Sequence, residues 1–189
     1  MRPASSRRVS RATAALGAVL LLAAFTTSDD APATGAALSA DSAVSAKVVD
    51  ATGRELGVLT FADAGAAISV EGTLHGLTPG VHGMHLHTVG RCDSPNFASA
   101  GAHWNPTPRQ HGSTNPAGPH HGDLMNLTVG ADSSVVVKMS TPAGSLRGEP
   151  ALLDADGAAL VIHATVDDYQ TDPSGNSGVR IACGVVSGS

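Results

Sequence analysis

The chain has 189 residues, of which 42% are hydrophobic and 14% charged, so it can form one globular domain and lacks the charge density of a disordered polyelectrolyte. Its formal net charge of −5 at pH 7 argues against a nucleic-acid-binding surface, which requires clustered basic residues. Aromatic residues make up only 3%, whereas 22 glycines and 11 prolines predict many turns, and this balance favours an all-β domain over a helical bundle.

The N-terminal residues have the outline of a secretory signal. Arginines precede an apolar run over residues 12–25, interrupted only by Thr13, and polar residues follow from Thr26. The run is shorter than the roughly 20 apolar residues that cross a bilayer, so we expect no stable membrane span, an uncleaved anchoring helix being the alternative. The chain would then be exported to the extracellular or cell-envelope space. We predict a signal peptide at 1–30 cleaved between 26 and 37, a flexible tether at 31–43 and a folded domain at 44–189.

Short β-prone runs separated by turn residues make up most of the predicted domain. In one of them Ile68 and Val70 alternate with Ser69 and Glu71, the period of two that is typical of a strand with one face in water. Eight such runs predict an all-β sandwich or barrel. The runs cover residues 44–51, 55–61, 67–74, 81–87, 124–129, 135–140, 158–164 and 179–186.

Two long intervals interrupt this pattern, at residues 88–122 and 165–178. The first contains His103, His111, His120 and His121 together with many glycines and prolines, and the second contains Asp167, Asp168 and Asp172. Loops of this length in a compact domain are usually functional or disordered, and the density of potential metal ligands favours a functional role.

Nine histidines against two cysteines are the most unusual feature of the composition, because histidine is the commonest ligand of transition metals. His85 and His87 lie two residues apart in a predicted strand, so both imidazoles project from one face. Alone this pair is a weak indication, since two solvent-facing histidines have the same spacing. Further candidate ligands extend the set towards a two-metal site that suits zinc or copper better than calcium or magnesium. They are His103, His111, His120, Asp123 and His163.

Five longer motifs follow one another at residues 83–87, 100–106, 111–112, 120–124 and 180–185. In this order they resemble those of the copper/zinc superoxide dismutase family, and the resemblance covers about Lys47 to Val186. It implies an eight-stranded Greek-key β-barrel or flattened sandwich with two long functional loops. It also implies an exported enzyme that converts two superoxide anions and two protons to dioxygen and hydrogen peroxide while copper alternates between Cu(II) and Cu(I).

The resemblance further implies a role for each candidate residue. Copper would be bound by His85, His87, His103 and His163, and zinc by His103, His111, His120 and Asp123. His103 would bridge the metals and carry a proton, and Arg180 would guide the anion beside copper. Asp167 would link the outer ring nitrogens of His85 and His111.

Three further histidines stand outside this set. His121 could compete with His120 for zinc, but the spacing from His120 to Asp123 favours His120. His82 is out of phase with His85 along the strand, so we expect it to face away from the metals and to hydrogen-bond the backbone. His75 is expected to be exposed at a turn.

The chain has two cysteines, Cys92 and Cys183, so an exported form can make one intramolecular disulfide. Such a bridge would tie the first long loop to the last strand and hold Arg180 near that loop. Free buried thiols are the alternative.

The second long loop departs from many relatives, because it carries three aspartates and no lysine. We therefore expect weak long-range steering of superoxide and a slower, salt-sensitive enzyme. A noncatalytic copper-binding or copper-delivery protein on the same barrel is the alternative function, and the completeness of the ligand set argues against it. Eight strands are compatible with a homodimer but do not specify one.

Overall fold

Nine β-strands and one short 3-10 helix form the regular structure of residues 44–188, the part of the chain that the computed structural model describes. The predicted signal peptide and tether lie outside the described residues. The 3-10 helix covers Ala98–Ala100. The strands are β1 (Val44–Asp50), β2 (Glu55–Ala64), β3 (Ala67–His75), β4 (Gly80–His82), β5 (Met84–His87), β6 (Leu127–Val129), β7 (Ser134–Ser140), β8 (Ala158–His163) and β9 (Arg180–Val186).

The strands form a curled antiparallel sheet whose two ends are joined by a short pair. Seven strands follow the order β5-β8-β9-β1-β2-β3-β7, and β4 pairs with β6. Because β4 continues into β5 and β6 turns tightly into β7, the pair connects both ends of the large sheet. The connections from β3 to β4 and from β7 to β8 run between strands that are not neighbours, as in a Greek key. The all-β barrel prediction is confirmed.

The prediction of one continuous strand over residues 81–87 was wrong at Gly83. The backbone N–H of Gly83 donates to the carbonyl oxygen of Thr165 at 2.8 Å, and its own carbonyl oxygen accepts from the N–H of His163 at 2.9 Å. The chain therefore changes partners here, β4 pairing with β6 and β5 with β8. A Cβ atom at Gly83 would lie 2.9 Å from the Cβ of Ser177, so this crossing requires glycine. Counted as halves of one run, β4 and β5 restore the eight predicted strands.

The core follows the predicted alternation of apolar and polar residues. In β3, Ile68 and Val70 are fully buried while Glu71 is exposed. Leu59 and Phe61 of β2 bury their side chains in the same aliphatic cluster. This burial of alternate residues turns one face of the sheet inward and leaves the other in water.

The strands β5 and β8 differ from the rest because every residue in them is buried. Met84 and Leu86 face the main core, whereas His85 and His87 point to the opposite face. That face is covered by the long intervals predicted from the sequence, which contain no strand in the structure. The strands β5 and β8 therefore form one side of the histidine-lined region, and the long loops cover it.

The disulfide between Cys92 and Cys183 is formed, with Cα atoms 5.7 Å apart, so the free-thiol alternative was wrong. It ties the first long loop to β9. Around it lies a small apolar cluster, separate from the main core, that includes the fully buried ring of Phe97.

No helix within residues 44–188 is long and apolar enough to span a membrane.

Candidate metal centre

The edge strand β5 collects residues from both parts of the first long loop. The backbone N–H of Leu86 donates to the carbonyl oxygen of Gly122 at 2.9 Å, and the Leu86 carbonyl oxygen accepts from the N–H of Trp104 at 2.8 Å. Isolated bridges then place His103 beside His87 and Asp123 beside His85. Residues far apart in sequence thus meet because the loop pairs with the free edge of β5.

Four buried histidines, here called the four-histidine cluster, bring their ring nitrogens within 4.8 Å of one another. In each ring one nitrogen has no hydrogen-bond partner, although it is buried. These atoms are Nδ1 of His85 and Nε2 of His87, His103 and His163. A buried polar atom without a partner costs about 1–3 kcal/mol, so four converging ones mark a site for a cation.

The second nitrogen of each ring in this cluster is anchored. His85 Nε2 lies 2.7 Å from Asp167 Oδ2, His87 Nδ1 donates to the Gly101 carbonyl oxygen at 2.9 Å, and His163 Nδ1 donates to that of Gly178 at 3.0 Å. These bonds fix each tautomer and direct the free lone pair into the cluster.

Burial keeps the rings of the four-histidine cluster neutral. It lowers the pKa of His85 to about 3 and that of His163 to about 4, and it also holds the pKa of His87 well below its ordinary value. Near neutral pH these imidazoles therefore present lone pairs, which is the form that coordinates a metal.

A second group, here called the aspartate cluster, consists of His103, His111, His120 and Asp123. Asp123 Oδ1 lies 3.0 Å from Nδ1 of His103, 3.0 Å from Nδ1 of His111 and 3.2 Å from Nδ1 of His120. Ligand atoms at about 2.0–2.1 Å from a tetrahedral metal lie roughly 3.3 Å from one another, so these separations fit one small cation. His103 belongs to both clusters, with Nε2 facing the first and Nδ1 the second.

The charge of the aspartate cluster is set by two carboxylates. Burial raises the pKa of Asp123, but hydrogen bonds from the three histidines outweigh this and hold the pKa far below its ordinary value. Burial likewise lowers the pKa of His111, but hydrogen bonds to Asp123 and Asp167 raise it to about 9. The carboxylates therefore stay ionised and favour positive charge in this part of the site.

Asp167 joins the two clusters. Its Oδ2 contacts Nε2 of His85 at 2.7 Å and its Oδ1 contacts Nε2 of His111 at 3.0 Å, while the residue is 1% exposed. One carboxylate therefore orients a ring of each cluster. Asp172 contributes at the rim, where its Oδ1 accepts from the backbone N–H of His111 at 2.6 Å.

The structure separates His121 from His120. His121 is half-buried outside both clusters, with Nδ1 3.4 Å from Thr107 Oγ1 and its ring edge-on to Trp104. His82 hydrogen-bonds two carbonyl oxygens, as predicted, and one of them belongs to His163. His75 is exposed at the end of β3, as expected.

Arg180 lies beside the four-histidine cluster. Its Nη1 donates to the carbonyl oxygen of Phe97 and its Nη2 to that of Gly101, both at 2.7 Å. The Gly101 carbonyl also accepts from His87, so the guanidinium and the imidazole share one acceptor. Arg180, Asn96 and Val179 are among the residues that line an open groove here. Sequence reasoning missed both carbonyl groups, because backbone acceptors leave no signal in residue type.

A single methyl group at Gly175 is expected to disrupt the aspartate cluster. A Cβ atom there would overlap Asp167 Oδ1 and lie 2.7 Å from His111 Nε2. We expect Gly175→Ala to displace the Asp167 carboxylate and to weaken the binding of a metal ion in the aspartate cluster about 10-fold or more, as loss of an outer partner of a metal ligand usually does. Competition with a chelator measures the affinity.

Gly53→Ala is the matched control, because Gly53 also has a positive φ but no atom within 4 Å of the added Cβ. Both variants bear the cost of a left-handed alanine, about 1 kcal/mol. Equal metal affinities for the two variants would show that the close approach at Gly175 is unimportant for the site.

A sequence model of the copper/zinc superoxide dismutase family matches residues 56–186. The chain belongs to the copper/zinc superoxide dismutase family. It is 42% identical to the Cu-Zn superoxide dismutase of Caulobacter vibrioides over 138 residues, which are 71% of this chain and 79% of the relative. It is 34% identical to the extracellular Cu-Zn superoxide dismutase of Haemonchus contortus, over 70% of this chain and 74% of the relative.

Solved structures of the family share this fold. A SOD-like protein from Bacillus subtilis has a TM-score of 0.72 or 0.73 in three crystal structures, the unsubstituted form being 39% identical and matched over 76% of this chain and 97% of its own. The Cu/Zn superoxide dismutase of Brucella abortus has a TM-score of 0.63 at 28% identity, over 77% of this chain and 99% of its own.

Membership in the copper/zinc superoxide dismutase family makes this chain an oxidoreductase with superoxide as its substrate and with copper and zinc as its metals. The donor atoms fit both ions. Four neutral imidazoles suit copper, and three imidazoles with a carboxylate at tetrahedral spacing suit zinc.

Proposed function

We propose that this chain is exported and dismutates superoxide at copper held by the four-histidine cluster, with zinc held by the aspartate cluster. The observation that carries this assignment is the set of four buried, unpartnered ring nitrogens that converge on one point. We assign His120 to zinc, although His85 also lies within reach of that group, because Nε2 of His85 is bonded to Asp167 and its Nδ1 belongs to the first set.

Copper, when bound, supplies the chemistry by accepting an electron from one superoxide and giving it to a second. The chain's own residues keep that site in one arrangement. The anchored rings of His85, His87 and His163 offer fixed lone pairs, and their burial limits the access of water.

His103 would deliver one of the two protons that hydrogen peroxide formation needs, and water at the site would supply the other. Its Nδ1 is held in the aspartate cluster 3.0 Å from Asp123, while its Nε2 faces the copper ligands. A proton taken up at Nε2 therefore leaves the ring in position, because the opposite nitrogen stays held. The proton then passes from Nε2 to the reduced oxygen species, and the imidazole returns to its starting state.

Arg180 is assigned to guide the substrate anion. Its guanidinium keeps its positive charge at any relevant pH and is fixed beside His87 through the shared Gly101 carbonyl. The groove it lines opens to solvent, so a small anion can reach the guanidinium from outside.

Export is supported by three observations. The N-terminal residues resemble a secretory signal, the disulfide suits an oxidising compartment, and the Haemonchus contortus relative is named extracellular. A homodimer stays a prediction, which sedimentation of the exported form would test.

Superoxide decay after pulse radiolysis tests the proposed function. The copper- and zinc-loaded exported form should accelerate decay in proportion to its copper content, and the metal-free form serves as the control. Arg180→Ala should slow the catalysed decay roughly 10- to 100-fold. Added salt should then lower the rate of decay much less than it does in the unsubstituted protein. Stoichiometric copper binding with decay no faster than in the metal-free control would instead indicate the noncatalytic copper-binding protein.

A further inference from the structure

Tyr169 links three segments around the metal centre. It is the only tyrosine of the chain, and its φ of 60° lies in the left-handed region that bulky residues rarely adopt. Its backbone N–H donates to Asp167 Oδ1 at 2.7 Å, and its carbonyl oxygen accepts from Thr114 Oγ1 at 2.7 Å. Its hydroxyl oxygen accepts from the backbone N–H of Asn126 at 2.8 Å.

Asn126 connects Tyr169 to Asp167, because its backbone bonds the tyrosine hydroxyl and its side chain bonds the aspartate backbone. The side-chain Nδ2 of Asn126 donates to the carbonyl oxygen of Asp167, and its Oδ1 accepts from the Asp167 N–H, both at 2.9 Å. Tyr169, Asn126 and Asp167 therefore form a closed ring of hydrogen bonds. The Asp167 backbone is held on both sides by one amide group, which defines where its carboxylate points.

The Asp167 carboxylate touches a ring of each cluster, His85 at 2.7 Å and His111 at 3.0 Å. Its Oδ1 also accepts from the backbone N–H of Tyr169. A shift of Tyr169 therefore moves an acceptor that His111 uses. Within the ring, the Tyr169 hydroxyl is the side-chain group whose removal breaks one defined bond and leaves the aromatic ring in place.

We infer that Tyr169 is a positioning residue for the metal centre, acting through Asn126 on the Asp167 carboxylate that orients His85 and His111. This inference rests on the proposed roles of His85 and His111 as metal ligands. Mutating an outer partner of a metal ligand typically weakens metal binding about 10- to 100-fold. Because the Tyr169 hydroxyl acts on that outer partner through Asn126, we expect a loss at the lower end of this range, about 10-fold.

Tyr169→Phe tests this inference in the otherwise unchanged exported protein. Zinc affinity should fall about 10-fold in competition with a chelator, and the visible spectrum of cobalt(II) bound in place of zinc should change. Thr141→Val is the matched control, since it also removes a side-chain oxygen that accepts from a buried backbone N–H, that of Ile68 at 2.9 Å.

Thr141→Val should lower stability without changing zinc affinity or the cobalt spectrum. Unchanged zinc affinity in Tyr169→Phe, or an equal loss in both variants, would overturn the inference. Failure of the unsubstituted protein to bind zinc would instead contradict the proposed ligand roles, so the two failures are distinguishable.

A second measurement needs no substitution. Because the chain has one tyrosine, fluorine NMR of protein labelled with 3-fluorotyrosine reports on residue 169 alone. Its resonance should shift as zinc is added and stop shifting at one equivalent. A resonance that is unaffected by zinc would also overturn the inference.

Discussion

Replacement of His87 by alanine is expected to abolish superoxide dismutation while zinc binding survives. His87 contributes one of the four unpartnered nitrogens, and it has no atom in the aspartate cluster. Since loss of an outer partner already costs about 10- to 100-fold, loss of the ligand itself should lower the catalysed rate by more than about 100-fold. Pulse radiolysis gives the rate, and metal analysis gives the zinc content.

His75→Ala is a suitable control, because His75 is an exposed histidine at the end of β3. It should leave both the rate and the metal content unchanged. A His87→Ala variant that kept the rate of the unsubstituted protein would contradict the copper assignment. Loss of zinc together with activity would contradict the independence of the two sites.

Removal of the disulfide is expected to cause the largest loss of stability. The bridge joins residues 91 positions apart. By limiting the conformations of the unfolded chain, a cross-link of this span adds about 4 to 5 kcal/mol to the free energy of unfolding. Cys92→Ala with Cys183→Ala removes the bridge without placing a hydroxyl group in the buried cluster around Cys183. Denaturant unfolding of the metal-loaded proteins measures the difference.

The same double variant is expected to bind substrate anions less well. The bridge anchors the loop whose Phe97 and Gly101 carbonyls hold Arg180, so its loss frees the guanidinium. Weaker binding of azide to the copper form would show this. A stability loss below about 1 kcal/mol would contradict the entropic argument for the bridge.

The strand pattern could be predicted from sequence because burial leaves a local period. Ile68 and Val70 alternate with polar neighbours, and their strand lies where the alternation places it. The break at Gly83 could not be predicted in this way. It arises because the chain exchanges β6 for β8 as its partner, and a change of partner depends on residues distant in sequence.

In the candidate site, too, features that depend on neighbouring residues could be predicted and features that depend on distant residues could not. The spacing of His85 and His87 places both rings on one face, but the presence of Asp123 beside them depends on the loop that pairs with β5. The surplus of histidines and one carboxylate supplied the remaining candidate ligands, and the family resemblance supplied their roles and those of Asp167 and Arg180. The supports of the site, such as Asn126 and the carbonyl of Gly101, were not foreseen, because no pattern of residue types marks them.

The carbonyl oxygen of Gly101 accepts from both His87 and Arg180. On the proposed copper assignment, a movement of this peptide would change the electron donation of His87 to copper, hence the reduction potential. It would at the same time move the guanidinium that attracts the incoming anion. A change that moves this carbonyl group would therefore alter both properties together. Independent adjustment of substrate attraction has to come from positions such as Val179, which is 72% exposed at the groove beside Arg180.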